Sequence, residues 1–232
     1  MVLTEHARRY LIAEGIRPEM IIKTGSSMKE VLNFHKDQIE ASTVLSNLEL
    51  QAKNYFLVST HREENIDSEK NFKALLDSLN AIEEKYQKRI IVSTHPRTRK
   101  KLESLDHKYV SNKIEFMKPM GFFDYIALQL NAFCVVSDSG TITEESSLLD
   151  FPAVTIRQAH ERPEGMDEGT LIMCGLSKEH VLHSIQIVTD QFQEKESTFR
   201  IISDYDVENV SKKVLRIIMS YTEYINRQVW HK

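Results

Sequence analysis

Leu57-Val58-Ser59-Thr60-His61-Arg62 and Ile91-Val92-Ser93-Thr94-His95-Pro96-Arg97 are near copies of one another, and together they decide the fold. Their Val-Ser-Thr-His tetrapeptides place histidines at positions 61 and 95, 34 residues apart. One βαβ unit takes roughly 30 residues or more. Each copy closes a continuous apolar run, Tyr55 to Ser59 and Arg89 to Ser93, and the segment between them, Glu69 to Lys85, has a helical apolar period. Unbroken apolar runs, rather than strict alternation, are expected of parallel strands covered on both faces. The reading is strand, crossover helix, parallel strand. Both histidines then lie just past the carboxyl ends of strands, the edge at which open α/β sheets bind ligands.

Outward from this pair the alternation continues. Lys113 to Met117, Phe133 to Ser137 and Pro152 to Ile156 read as further strands. Arg97 to Leu105, Gly121 to Leu130, Ile142 to Leu149, Val181 to Phe192 and Val207 to Ile218 read as helices. Upstream, Leu3 to Ala13 has Thr4 as a candidate N-cap, and Met28 to Phe34 also has a helical pattern. The predicted class is α/β, a doubly wound Rossmann-like parallel sheet. The first 50 residues stand apart because they carry mostly helices. No linker rich in Gly, Ser or Pro divides the 232 residues.

Composition excludes several functions. Thirty Lys and Arg against 34 Asp and Glu give a net charge of −4, with no basic footprint for nucleic acid. Apolar runs reach only strand length, far below the ~20 residues of a membrane span, so no membrane partner is expected. No signal peptide is visible at the N-terminus. Two cysteines make no disulfide framework and suit a reducing, cytoplasmic setting. His and Cys lack zinc spacing and no carboxylate cluster suits a hard cation, so no metal is expected.

Two more constellations fall at strand ends. In Val136-Ser137-Asp138-Ser139-Gly140-Thr141-Ile142-Thr143-Glu144-Glu145 a buried strand turns through Ser-Gly into a helix. A helix N-terminus attracts phosphate through unpaired N–H groups and its dipole. Gly140 permits close backbone approach, Ser139 and Thr141 add hydroxyls, and Glu145 is placed to accept from ribose hydroxyls. Thr141 to Glu144 equally fits a capping box, which would make the same residues structural. The segment is neither a Walker loop nor a Gly-x-Gly-x-x-Gly fingerprint nor a Gly-x-Ser-x-Gly elbow. His160-Glu161-Arg162-Pro163-Glu164-Gly165 follows the next strand; Arg162 offers a planar fork for phosphate oxygens, or else belongs to a surface ion-paired loop.

Taken in order and spacing, His61-Arg62-Glu63-Glu64-Asn65, Ser137-Asp138-Ser139-Gly140, Glu144-Glu145 and Glu161-Arg162-Pro163-Glu164-Gly165 resemble the non-hydrolysing UDP-N-acetylglucosamine 2-epimerases. The likeness runs from about Thr4 to Asp190. It implies the C-terminal half of a GT-B-like two-domain architecture, with an N-terminal domain to be supplied in cis or in trans. Residues 1–50 would be hinge and helical entry, 51–205 the UDP-binding domain and 206–232 a C-terminal helix. The family implies His61 beside the diphosphate as the catalytic residue of this half. Ser139, Gly140 and Thr141 would hold phosphate, Glu145 the ribose, Arg162 the nucleotide or sugar, and Tyr125 the uracil pocket. His95 corresponds to a second, regulatory site of some members. No cofactor is needed: a base removes the C2 proton as UDP leaves, and UDP re-adds to the 2-acetamidoglucal. The implied partners are a UDP-sugar and a second copy of the chain. The C2 acid/base groups belong, in the family, to the N-terminal domain, and the isolated chain is expected to be inactive.

Three segments depart from the common pattern: Glu63 where many members have arginine, Thr24-Gly25-Ser26-Ser27, and Pro119-Met120-Gly121-Phe122-Phe123. These look closer to the UDP-N-acetyl-L-fucosamine-forming relatives, so a 6-deoxy sugar is an alternative. The nucleotide half of a GT-B glycosyltransferase and a non-catalytic UDP-sugar-binding module are the others.

Overall fold

The computed structural model describes residues 1–94, 96–103, 109–193 and 199–232. Its strands are β1 (Tyr55–Thr60), β2 (Arg89–Thr94), β3 (Ile114–Met117), β4 (Cys134–Ser137), β5 (Ala153–Thr155) and β6 (Ile172–Met173). All pair in parallel, in the order β3-β2-β1-β4-β5-β6. Helices follow the chain as α1 (Glu5–Ala13), α2 (Met28–Phe34), α3 (Lys36–Glu40), α4 (Val44–Asn47), α5 (Glu63–Ile66), α6 (Glu69–Tyr86), α7 (Pro96–Glu103), α8 (Phe122–Asn131), α9 (Ile142–Leu149), α10 (Glu164–Asp167), α11 (Lys178–Gln193) and α12 (Val210–Ile225). Chain contacts define two compact units, one of Met1–Phe34 with Ile201–Lys232 and one of His35–Arg200.

In the larger unit β1 is central. The two Val-Ser-Thr copies lie side by side, Val58 opposite Val92, Ser59 opposite Ser93 and Thr60 opposite Thr94. On its other side Ser59 is level with Ser137 of β4. Three strands therefore carry a serine at one height, the last residue of β4 and the last but one of β1 and β2. The chain leaves β1 for β2 on one flank and returns to β4 on the other, so the strand order reverses there. Such a switch point opens a crevice at the carboxyl edge.

The core explains why the strands are apolar throughout. Phe56, Val58, Ile90, Val92, Val136 and Val154 join α6 residues Phe72, Leu75, Leu76, Leu79 and Ile82 and α11 residues Val181 and Ile185 in one buried cluster. The α6 residues recur at three- and four-residue steps, the stripe of a half-buried helix. Ser68 caps that helix by accepting from the Asn71 N–H, and Gln87 ends it in the left-handed region at φ 53°.

The smaller unit joins segments far apart in sequence. Thr4 caps α1, accepting from the Ala7 N–H at 3.2 Å. Asp204 accepts from the Glu5 N–H at 2.7 Å and from Lys23 Nζ at 2.6 Å, while its carbonyl accepts from the Ser26 N–H at 3.0 Å. Gly25 has φ +82°, and a Cβ there would lie 2.8 Å from Val207 Cγ2. Only glycine fits that approach.

Differences from the sequence reading are local. The last helix begins at Val210 rather than Val207, because Asn209 adopts a left-handed φ of 59° before it, and runs to Ile225. Strand β6 has two residues, too few for any period to be read. The helix expected over Arg97 to Leu105 is described from Pro96 to Glu103.

Candidate functional site

The turn after β1 and the turn after β4 are tied together by Asp138. Its carboxylate is 1% exposed. Oδ1 accepts from the His61 N–H at 3.0 Å, and Oδ2 accepts from the Arg62 N–H at 3.1 Å and Asn65 Nδ2 at 2.9 Å. The Asp138 carbonyl also accepts from Arg62 Nε at 3.1 Å. A buried acid meeting that many donors is satisfied, and it fixes the backbone that carries His61.

Beyond Asp138 the chain enters α9. The Ser139 N–H donates to Ser137 Oγ at 3.1 Å, and Ser139 Oγ accepts from the Thr141 N–H at 3.3 Å. The capping box suggested by Thr141 and Glu144 does not form. Thr141 makes no side-chain cap bond, and its hydroxyl instead meets the Glu145 carboxylate. Glu144, 3% exposed, is engaged by Arg162 Nη1 at 2.5 Å.

From these contacts a continuous polar chain emerges. His61 Nε2 is 3.0 Å from Ser59 Oγ. Ser59 and Gln129 both hydrogen-bond with Tyr125 on α8. Gln129 Nε2 donates to Glu145 Oε2 at 2.5 Å. Glu145 meets Thr141, whose hydroxyl is 2.9 Å from Ser139 Oγ. Burial pushes the Tyr125 phenol up and keeps it neutral, and burial likewise raises the Glu145 carboxyl above its ordinary value. Thus His61, Tyr125, Ser139, Thr141 and Glu145 are brought onto one network, with Gly140 and Arg162 beside it. His95 lies outside the described residues.

Sequence reasoning passed over Asp138, Gln129, Ser59 and Arg157. Asp138 did carry a signal, an acid directly after an apolar strand and before Ser-Gly. Gln129 carried none, since one glutamine on a helix is ordinary. Arg157, just past β5, is 8% exposed, and its guanidinium pairs with Glu161 through Nη1. Arg62 Nη2 reaches the same Glu161 at 2.6 Å. Gly165 in α10 lies so close to α9 that a Cβ would fall 2.3 Å from Thr143 Cγ2.

Among the described residues no group of His, Cys, Asp and Glu is arranged to hold a metal ion. A larger cavity of about 510 Å³, among Phe151, Pro152, Phe192 and Phe199, sits at the amino end of β5. It is at the edge of the sheet opposite this chemistry, and size alone does not make it the functional site.

A six-stranded parallel sheet with helix, arginine and serine groups gathered at its switch point defines a Rossmann-like domain with a candidate anion site at its carboxyl edge. Residues 1–219 match the UDP-N-acetylglucosamine 2-epimerase family, and the chain belongs to that family as the C-terminal half of its GT-B architecture. The UDP-N-acetylglucosamine 2-epimerase of Methanocaldococcus jannaschii is 32% identical over 209 residues, 82% of this chain and 57% of that protein. The solved structure of the Rickettsia bellii UDP-N-acetylglucosamine 2-epimerase is 50% identical with a TM-score of 0.91, matching 100% of this chain and 62% of its own. That of the M. jannaschii enzyme in complex with UDP-GlcNAc and UDP is 28% identical with a TM-score of 0.84, over 95% and 60%. The chain spans less than two thirds of each of these relatives. No helix among the described residues is long and apolar enough to cross a membrane.

Proposed function

We propose that this chain is the UDP-binding portion of an enzyme that interconverts UDP-GlcNAc and UDP-ManNAc. The observation that carries the reading is the polar network from His61 to Ser139 at the switch point, flanked by Arg62, Arg157 and Arg162. The relative solved with UDP-GlcNAc and UDP supports the choice of ligand. The diphosphate sits at the start of α9, on Ser139, Gly140 and Thr141, where helix N–H groups and dipole favour an anion. Glu145 accepts from the ribose, Tyr125 lines the uracil pocket, and Arg162 faces the nucleotide or sugar. His61, its backbone fixed by Asp138, assists departure of UDP by stabilising the leaving diphosphate.

In the reaction a base takes the C2 proton while the C1–O bond to UDP breaks, leaving 2-acetamidoglucal. UDP re-adds at C1 and the proton returns to the other face of C2. No Asp or Glu of this chain is assigned as that base, which we place on an N-terminal domain acting in cis or in trans. A second copy of the chain is a further proposed partner. The exposed apolar row Leu215, Ile218 and Met219 on α12 supports association of this kind. Two free, buried cysteines suit a cytosolic setting.

Calorimetry tests the ligand. UDP should bind in preference to ADP, and Arg162→Ala and Glu145→Ala should each weaken UDP by about tenfold or more. Equal affinity for UDP and ADP would remove the assignment. The C2 proton of UDP-GlcNAc should not exchange with deuterium from solvent on the chain alone, because the base and sugar must be held between two walls.

A further inference from the structure

Glu161 occupies an unusual position on this edge. Its Oε2 is shared by two guanidinium groups, Arg62 Nη2 at 2.6 Å and Arg157 Nη1. Both of its oxygens lie over Gly140, 3.2 Å from where a Cβ would be. The carboxylate thus sits against the first turn leading into α9, the place the proposed diphosphate requires. The cavity between Ser139, Gly140, Arg157, Glu161 and Arg162 is only about 20 Å³. That is room for about one water molecule, so a phosphate placed over Gly140 competes with the Glu161 carboxylate for the same ground.

The two ends of this contact differ in freedom. The Arg157 side chain is 10% exposed and held beneath the edge, whereas that of Glu161 is 45% exposed. Arg157 Nε and Nη1 are buried and make no hydrogen bond among the described residues, so the contact of Nη1 with Glu161 is one of charge. Burial, and then the neighbouring Arg62, lowers the pKa of the Arg157 guanidinium. A cation so crowded and desolvated gains from any anion close to it.

We propose that Glu161 is an internal substitute for phosphate, seated on Arg62 and Arg157 over Gly140, and that a nucleoside diphosphate binds by exchanging places with it. The inference rests on the UDP reading of this edge and adds a competing anion to it. Affinity then measures the difference between two anions on one seat, so the carboxylate acts as a threshold that weak ligands do not pass. Removing its charge or shortening its reach strengthens phosphate binding. A residue that merely contacts the sugar or braces the loop would have the opposite effect.

The test compares UDP, ADP and inorganic pyrophosphate binding to the unaltered chain, Glu161→Gln and Glu161→Asp. Both variants should bind UDP and pyrophosphate about tenfold more tightly than the parent. Thermal melts should show lower midpoints for the variants without ligand, since Arg157 loses its counter-charge, and a larger rise on adding pyrophosphate. Unchanged or weaker binding in both variants overturns the exchange. The two readings separate cleanly. A gain for pyrophosphate with no preference for UDP over ADP keeps the exchange and removes the uridine ligand, while a UDP preference without any gain does the reverse.

Discussion

Glu145 is held where a negative charge is costly: it is 7% exposed, and burial raises its pKa above 4.5 despite hydrogen bonds from Gln129 and Thr141. A carboxyl whose folded pKa exceeds its unfolded value favours folding fully below the unfolded pKa, and loses that contribution as pH rises through the folded one. Glu145→Gln should therefore be more stable than the parent at neutral pH, with the gap closing as pH falls to about 4.5. Urea melts at several pH values check the sign. UDP affinity should move the opposite way, because the amide loses an acceptor for the ribose. Gly165 gives a second prediction at this scale. Gly165→Ala pushes a methyl into Thr143 and should cost about 1–3 kcal/mol. A Thr143→Ser partner that removes Cγ2 should recover part of that loss. The motifs containing both residues were legible in the sequence, but their reasons were not. Gly165 is needed for helix contact, and Asp138, read only as part of a strand-to-helix turn, holds the neighbouring turn.

At the scale of elements, the Val-Ser-Thr-His repetition was the most informative text in the chain, since two like segments one βαβ unit apart pair in register as β1 and β2. Strands and long helices announce themselves by period and length. The two-residue β6 and the four-residue α5 and α10 do not, because one turn or one bridge carries no period. Helix α1 depends on more than its own sequence. Asp204 accepts from its first N–H, and although burial alone raises the Asp204 pKa, Lys23 and the Glu5 N–H bring it below 3.8. A depressed carboxyl stabilises above its unfolded pKa and loses that contribution as pH falls through the folded one. Asp204→Ala should cost about 1–2 kcal/mol at pH 7, and the loss should shrink below about pH 3.8. Circular dichroism melts at the two pH values measure it.

For the whole molecule, function follows from topology more than from any one residue. Reversal of strand order at β1 is what lets turns from β1, β4 and β5 meet; the alternation of strands and helices had foretold a doubly wound sheet but not the place of the reversal. Side-chain partnerships across that edge, such as Gln129 with Glu145 or Arg157 with Glu161, join residues whose nearness only the folded chain reveals. The two cysteines are part of the interior: burial pushes Cys174 up to about 12 and Cys134 higher still. Both thiols should resist iodoacetamide at pH 8 until the protein is unfolded. On α12, Leu215→Glu with Met219→Glu should lower self-association in sedimentation runs, if that exposed row seats a second copy.

The Asp204 clasp also sets a schedule. Glu5 and its acceptor are separated by 199 residues, and Lys23 and Asp204 by 181. A ribosome adding about 5–20 residues per second needs on the order of 10–40 s to pass from one to the other. Throughout that interval α1 emerges without its clasp, while the sheet of the larger unit is complete well before Asp204 is made. The Met1–Phe34 segment is then a late arrival in folding although it is made before the sheet. Pulse-labelled hydrogen exchange on refolding chains should find the Val58 amide protected first and the Glu5 amide last, with long loop closure as the slow step.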